Sequence, residues 1–439
     1  MSPFLVGLLI ATSVIVLMLL GMPIFLSLGI VATVTMLLLG PLQFDMLGEQ
    51  FFSALNGFEL LAIPLFILMS AFFAKSDAGK DLFELAYRWF GKIPGGLAIA
   101  NIFACGVFSA LSGSSPATAA AIGGMGIPEM RKRGYPGEFA AAIIIAGGTL
   151  GILIPPSITM IIYGVAVQVS IGKLFLAGVL PGVLLIFLFS VWAAIYWIIC
   201  CKKSGARLSD LDDLQIDFSW KEKFESLFKA WPSVLLIILI IGSLYSGVVT
   251  PSEIAALGAV VTLLIVLLWY RSLNRKSIQE ILTSGARESS MILLIVAGAL
   301  LLTYPISYLR VPQAITESLI TLDISKWWIF IIINIVLLIL GMFLPPAAII
   351  VMVAPILAPL IHGLGFDPIW FAVIMTLNME IGLITPPVGL NLFVVKPLVP
   401  DITFTEIFKA VIPFIIIIVI TIILICIFPQ IALWLPSLI

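Results

Sequence analysis

The chain has 439 residues, of which 62% are hydrophobic and 10% charged, and its mean hydropathy is +1.25. A soluble domain carries roughly 45–50% apolar and about 25% charged residues, so a soluble enzyme is excluded. Twenty-two Lys and Arg stand against 23 Asp and Glu, for a formal net charge of −1. No basic face remains for a phosphate backbone, which excludes nucleic-acid binding. Cys105, Cys200, Cys201 and Cys426 lie in or beside apolar segments, with no CxxC spacing and no neighbouring His, and read as packing residues.

Phe4 to Leu20 is the first apolar run. No Lys or Arg precedes it, and Gly21-Met22-Pro23 follows in place of a small-residue cleavage site, so it reads as a retained span and not a signal peptide. A helix needs roughly 20 apolar residues to cross a hydrocarbon core about 30 Å thick. Ten stretches meet that need, near 4–21, 22–40, 51–74, 137–165, 174–200, 231–248, 252–270, 287–305, 369–395 and 408–428. Asp77 to Phe90, with Leu82, Phe83, Leu85, Trp89 and Phe90 set against Lys80, Asp81, Glu84 and Arg88, reads as an interfacial amphipathic helix. Residues 93–130 and 327–362 have a different form. Each places two apolar arms around a break, Ser112-Gly113-Ser114-Ser115-Pro116 in one and Leu344-Pro345-Pro346 in the other, and each predicts a re-entrant hairpin.

Charge sets the expected orientation. With the N-terminus outside, nineteen of the 22 Lys and Arg fall on the cytoplasmic side and only Lys173, Arg310 and Lys326 outside. The positive-inside rule therefore predicts that both termini are periplasmic. The sequence also repeats at a spacing of 231 residues: Pro128 matches Pro359, Gly134 matches Gly365, Gly151 matches Gly382, and Pro155-Pro156 match Pro386-Pro387. Pro23 and Gly29 match Pro251 and Gly258 more loosely. In this topology the copies enter the membrane from opposite sides. The expected layout is an extra span at 1–21, a first inverted copy at 22–200 with hairpin 93–130, and a cytoplasmic linker with a connecting span at 201–250. A second inverted copy follows at 251–428 with hairpin 327–362, then a tail at 429–439. The fold class is all-α: a polytopic integral membrane protein with the inverted repeats and broken helices of a secondary transporter.

Backbone left unpaired in hydrocarbon costs several kcal/mol per group, so irregular segments persist only inside protein or beside a watery cavity. Four places qualify: the tips at 112–118 and 344–347, and the breaks at 147–157 and 382–391. Each Pro-Pro pair deletes two amide donors and frees carbonyls upstream. Freed carbonyls suit a hard cation such as sodium, and the half-helix N-termini beyond the breaks suit an anion. Sodium-coupled carriage of an anionic solute follows as the expected chemistry. Glu380 lies inside an apolar stretch between Asn378 and Asn391, where it either accepts hydrogen bonds from unwound backbone or contacts solute. Thr385 stands where the first copy has Ile154 and offers a hydroxyl to a second cation site. His362, the single histidine, sits at the end of the second hairpin, away from Ser112–Ser115, which argues against an intramembrane serine protease.

Three runs carry a family resemblance. Phe108-Ser109-Ala110-Leu111-Ser112-Gly113-Ser114-Ser115-Pro116-Ala117-Thr118, Gly147 through Ser157, and Glu380-Ile381-Gly382-Leu383-Ile384-Thr385-Pro386-Pro387-Val388-Gly389-Leu390-Asn391 resemble the large membrane subunit of tripartite ATP-independent periplasmic (TRAP) transporters. The resemblance covers nearly the whole chain. It implies an elevator-type transporter driven by sodium, working with a small four-helix membrane subunit and an extracytoplasmic solute-binding protein. Because the sequence opens at its first span, the small subunit is expected to be a separate chain. The implied solute is an organic acid of the sialic acid or C4-dicarboxylate class. By position, the resemblance implies one sodium site at Ser109, Ser112, Gly151, Ile154 and Pro156, and another at Gly341, Gly382, Thr385 and Val388. The solute would lie near Ser114, Ser115, Pro345 and Pro346, with Asn378 and Asn391 close by. A stand-alone sodium/divalent-anion symporter and an ion channel are the rival functions.

Overall fold

The structure, a computed structural model, describes residues 3–203, 218–247, 249–321 and 325–438. The acidic linker residues Asp210, Asp212 and Asp213 lie outside them. Of the described residues 84% are helical and none is in a strand, and the chain is an all-α polytopic membrane protein. Runs of Leu, Ile, Val and Phe close every backbone hydrogen bond within a helix and leave apolar side chains outermost, which is what a lipid solvent demands. Local signals set the helix starts. Thr403 opens Phe404–Ile427 by accepting from the Glu406 amide, while the Glu406 carboxylate accepts from the Thr403 amide at 2.8 Å. Thr250 with Glu253 and Ser219 with Glu222 repeat this reciprocal cap.

The apolar stretches map onto helices, with informative departures. The stretch at 51–74 is not one rod: Pro41–Leu55 and Phe58–Ala74 meet at 51°. Asn56 ends the first, and Gly57 turns to extended backbone at φ −83°, ψ 122°. The stretch at 287–305 lies in the C-terminal part of a 34-residue helix, Arg275–Tyr308. Trp220–Lys229 lies at 61° to Trp231–Ser246. The amphipathic stretch becomes helix Ala78–Phe90, with Leu82, Leu85 and Ala86 buried.

Both hairpin segments are paired helices, Gly96–Ser112 with Ser115–Lys132, and Lys326–Gly341 with Pro346–Gly363. Two further stretches are interrupted. Gly137–Gly148 runs into a tight turn at Thr149–Ile152 before Ile158–Val167 resumes, and Pro368–Leu383 stops before Leu390–Val395. Helix packing is reciprocal between the two halves of the chain. Ile24–Leu39 packs on Arg275–Tyr308, as Ala62–Ala74 packs on Pro251–Ile265. Ser115–Lys132 packs on Leu390–Val395, as Pro346–Gly363 packs on Ile158–Val167. Gly137–Gly148 packs on Phe404–Ile427, as Ile171–Lys203 packs on Pro368–Leu383. Each hairpin's second arm therefore touches a half-helix of the other half.

Candidate functional site

Proline chemistry dictates which main-chain oxygens are left over. A helix carbonyl accepts from the amide four residues on, and a proline there has no amide to give. Pro116 leaves the Ser112 carbonyl without that donor, Pro155 the Gly151 carbonyl, and Pro345 the Gly341 carbonyl. Among the described residues no hydrogen bond reaches any of the three. The carbonyls of Ile154 and Pro156 in the first break, and of Thr385 and Val388 in the second, are likewise free of donors. Gly382 and Ser109 differ, because their carbonyls accept from the Thr385 amide at 3.2 Å and the Gly113 amide at 3.0 Å. The Pro155-Pro156 and Pro386-Pro387 bonds are both cis.

Glycine lets each tip press against a break. A Cβ built on Gly151 would stand 2.5 Å from the Ser114 oxygen, and one on Gly113 would stand 2.7 Å from the Pro156 oxygen. In the second half a Cβ on Gly382 would stand 2.5 Å from the Gly341 oxygen. The Val388 amide also donates to the Met342 carbonyl at 3.3 Å, joining break to tip. Gly113 and Ser114, next to Ser112, are thus brought beside Pro156 and Gly151, and Gly341 and Met342 beside Gly382 and Val388.

Hydroxyls surround the first pair. Ser112 Oγ and Thr118 Oγ1 lie 2.8 Å apart, Ser109 Oγ lies 3.5 Å from Thr118 Oγ1, and Thr118 Oγ1 donates to the Ser114 carbonyl at 2.9 Å. Ser157 Oγ donates to the Ile152 carbonyl at 2.5 Å, replacing the amide that Pro156 lacks, and lies 2.7 Å from Thr159 Oγ1. In the second pair Thr385 Oγ1 donates back to the Ile381 carbonyl at 2.6 Å and keeps lone pairs for a cation. Pro386, Pro387 and Val388 are exposed and line a cavity of about 330 Å³ with Leu392, Phe393, Phe404 and Phe408.

A buried polar chain crosses between the halves. Ser115 Oγ donates to Glu380 Oε2 at 3.1 Å, the Ile152 amide donates to Glu380 Oε1 at 3.3 Å, and Asn391 Nδ2 donates to Ser115 Oγ at 2.8 Å. Ser115 and Asn391 are therefore together, with half-buried Ser114 adjacent. Asn378 stands apart: its amide donates to Asn334 on the first arm of the second hairpin, and to the Ile374 carbonyl at 3.2 Å. Pro345 is exposed and Pro346 buried at the second tip. Exposed His362 ends the second hairpin. Thr159 and Asn334 escaped sequence reasoning, although a lone Asn in the apolar run 326–341 was a visible signal.

A sequence model of the family described as "Tripartite ATP-independent periplasmic transporter, DctM component" matches residues 11–431. The chain is similar to the C4-dicarboxylate TRAP transporter large permease protein DctM of Pseudomonas aeruginosa, with 40% identity over 411 residues covering 94% of each chain. It is 33% identical over 418 residues to the sialic acid TRAP transporter large permease protein SiaM of Vibrio cholerae, covering 95% of each. The solved structure of the Alcanivorax borkumensis YdaH transporter superposes with a TM-score of 0.59 at 13% identity, covering 90% of this chain and 88% of that one. Identity that low speaks for the fold alone.

Proposed function

The chain belongs to the DctM family, the large membrane component of TRAP transporters, and from that premise we propose that it imports an organic acid with sodium across the bacterial inner membrane. The observation that carries the sodium half of the proposal is the pairing of donor-free carbonyls. Gly113 and Ser114, which follow Ser112 at one tip, press on Pro156 and Gly151 at a break, and Gly341 at the other tip presses on Gly382, with Met342 bonded to Val388. Oxygens without donors, gathered where two helices stop, are ligands for a small cation that carries no hydrogen-bond donors of its own. The first site takes Ser109, Ser112, Gly151, Ile154 and Pro156; the second takes Gly341, Gly382, Thr385 and Val388. In both, most ligands are backbone oxygens.

The solute is an organic acid of the C4-dicarboxylate or sialic acid class, held near Ser114, Ser115, Pro345 and Pro346. The relatives at 40% and 33% identity carry names for those two solutes. Reciprocal packing of the halves supports an inverted repeat whose hairpins are re-entrant, and tips and breaks moving together against the outer helices give an elevator. Nineteen of 22 Lys and Arg on one side support periplasmic termini. A small membrane subunit and an extracytoplasmic binding protein complete the system.

Uptake into proteoliposomes holding both membrane subunits, with binding proteins and a panel of labelled acids, tests the proposal. Saturable uptake of one acid that requires an inward sodium gradient is expected. Equal uptake with potassium in place of sodium would overturn the coupling.

A further inference from the structure

Glu380 is the only charged side chain among the buried residues described, at 0% exposure. None of the ion pairs among the described residues includes it. A carboxyl buried without a counter-charge is costly, and inside a membrane it marks a place where a cation belongs. Its two donors come from opposite banks of the first tip-and-break pair. Ser115 follows Ser114, whose carbonyl presses on Gly151, and Ile152 follows Gly151 itself. Asn391 donates to the same Ser115 hydroxyl at 2.8 Å, a second bond that holds the serine in this orientation.

Resting on the sodium reading above, we propose that Glu380 is the positioning residue and counter-charge of the first sodium site. Through Ser115 and the Ile152 amide it holds tip and break at the separation their free carbonyls need, and its carboxyl draws the cation without ligating it. The second site has no equivalent. By the 231-residue spacing Glu380 corresponds to Thr149, whose hydroxyl is engaged by the Ala146 carbonyl at 2.6 Å. One sodium site is therefore charge-assisted and the other is not.

The test combines sodium-dependent uptake with hydrogen–deuterium exchange on the purified membrane complex of wild type, Glu380→Gln and Glu380→Asp. Glu380→Gln keeps the volume, removes the charge and offers one acceptor oxygen in place of two. Its half-saturating sodium concentration is expected to rise about tenfold, more than the maximal rate falls, because a charged acceptor with two donors is lost. Glu380→Asp keeps the charge on a shorter arm and is expected to fall between the two. Exchange is expected to rise at 112–118 and 149–157 and to stay unchanged at 341–346 and 384–389. Half-saturation within about twofold of wild type in both variants, or exchange rising equally at both pairs, overturns the proposal. A merely structural role would lower rate and yield without moving the sodium dependence. If wild type shows no sodium dependence, the transport proposal fails, and the exchange pattern alone decides whether Glu380 positions the first pair.

Discussion

The two breaks share a backbone plan and differ in what clothes it. In the first, Gly151, Pro155, Pro156 and Ser157 are buried, and Ser157, Thr159 and Glu380 attend to Ile152. In the second, Pro386, Pro387 and Val388 are exposed beside a cavity, and one hydroxyl, Thr385, serves the segment. The first break thus sits in a buried, polar-strapped setting and the second in an open one. The buried break gathers side-chain partners on Ile152 and leaves the Gly151, Ile154 and Pro156 carbonyls without donors, whereas the open one has a single hydroxyl and faces a cavity. The two breaks differ in exposure while sharing a cis Pro-Pro bond and a glycine pressed by a tip.

Filling the glycine contacts should hit both breaks hardest. Gly151→Ala and Gly382→Ala each drive a methyl into backbone 2.5 Å away, and each is expected to cost about 3 kcal/mol or more and abolish uptake. Gly124→Ala, whose Cβ would meet nothing within 4 Å, should be silent in the same melting and uptake assays. Next come the hydroxyls, where the breaks should separate. Ser157→Ala strips the buried Ile152 carbonyl of its best donor and should lower stability by about 1–3 kcal/mol in thermal unfolding. Thr385→Ala, at a half-buried position, should change stability by about 0.5 kcal/mol or less yet raise the sodium needed for uptake, with Thr385→Ser restoring it. If the two substitutions behaved alike in both assays, the contrast between buried and open breaks would be lost.

The smallest effect lies outside the membrane-spanning segments. Arg131 forks onto Asp401 at 3.0 and 2.7 Å, and this hydrogen bonding holds the Asp401 carboxyl below the usual carboxylate range. A depressed folded value means that its stabilising contribution is present above the unfolded value and lost as pH falls through the folded one. Arg131→Ala should therefore lower the melting point slightly at neutral pH and not at all in strong acid. An equal shift at both would assign the residue's contribution to packing.

Much of this was legible in the sequence, because proline and glycine act locally. The pairs Pro155-Pro156 and Pro386-Pro387 point to freed carbonyls upstream, and the 231-residue spacing finds Gly151 and Gly382 together. Long-range partners were not legible. Glu380 meets Ser115 and Ile152 across 265 and 228 residues, and no periodicity records which way a buried carboxyl points. Its options were open from sequence, and the structure places it against unwound backbone. Asn378 was expected near the solute, and in the structure its side-chain amide meets Asn334 on the second hairpin. The unequal exposure of two identical Pro-Pro pairs depends on neighbours such as Phe393 and Phe404 and was equally hidden. The bend at Asn56-Gly57 interrupts a stretch whose hydropathy reads as continuous.

The most direct measurement is the unfolding midpoint of the purified membrane complex against sodium chloride, with ionic strength held constant by choline chloride. If bare main-chain oxygens at the tips and breaks hold sodium, the wild-type midpoint climbs and saturates, since a ligand bound only to the folded state stabilises it. The climb should shrink when Pro386→Ala is combined with Pro387→Ala, because amides return to the Gly382 and Leu383 carbonyls and the helix closes over the break. A midpoint indifferent to sodium in the wild type, or a full climb in the double variant, would contradict it.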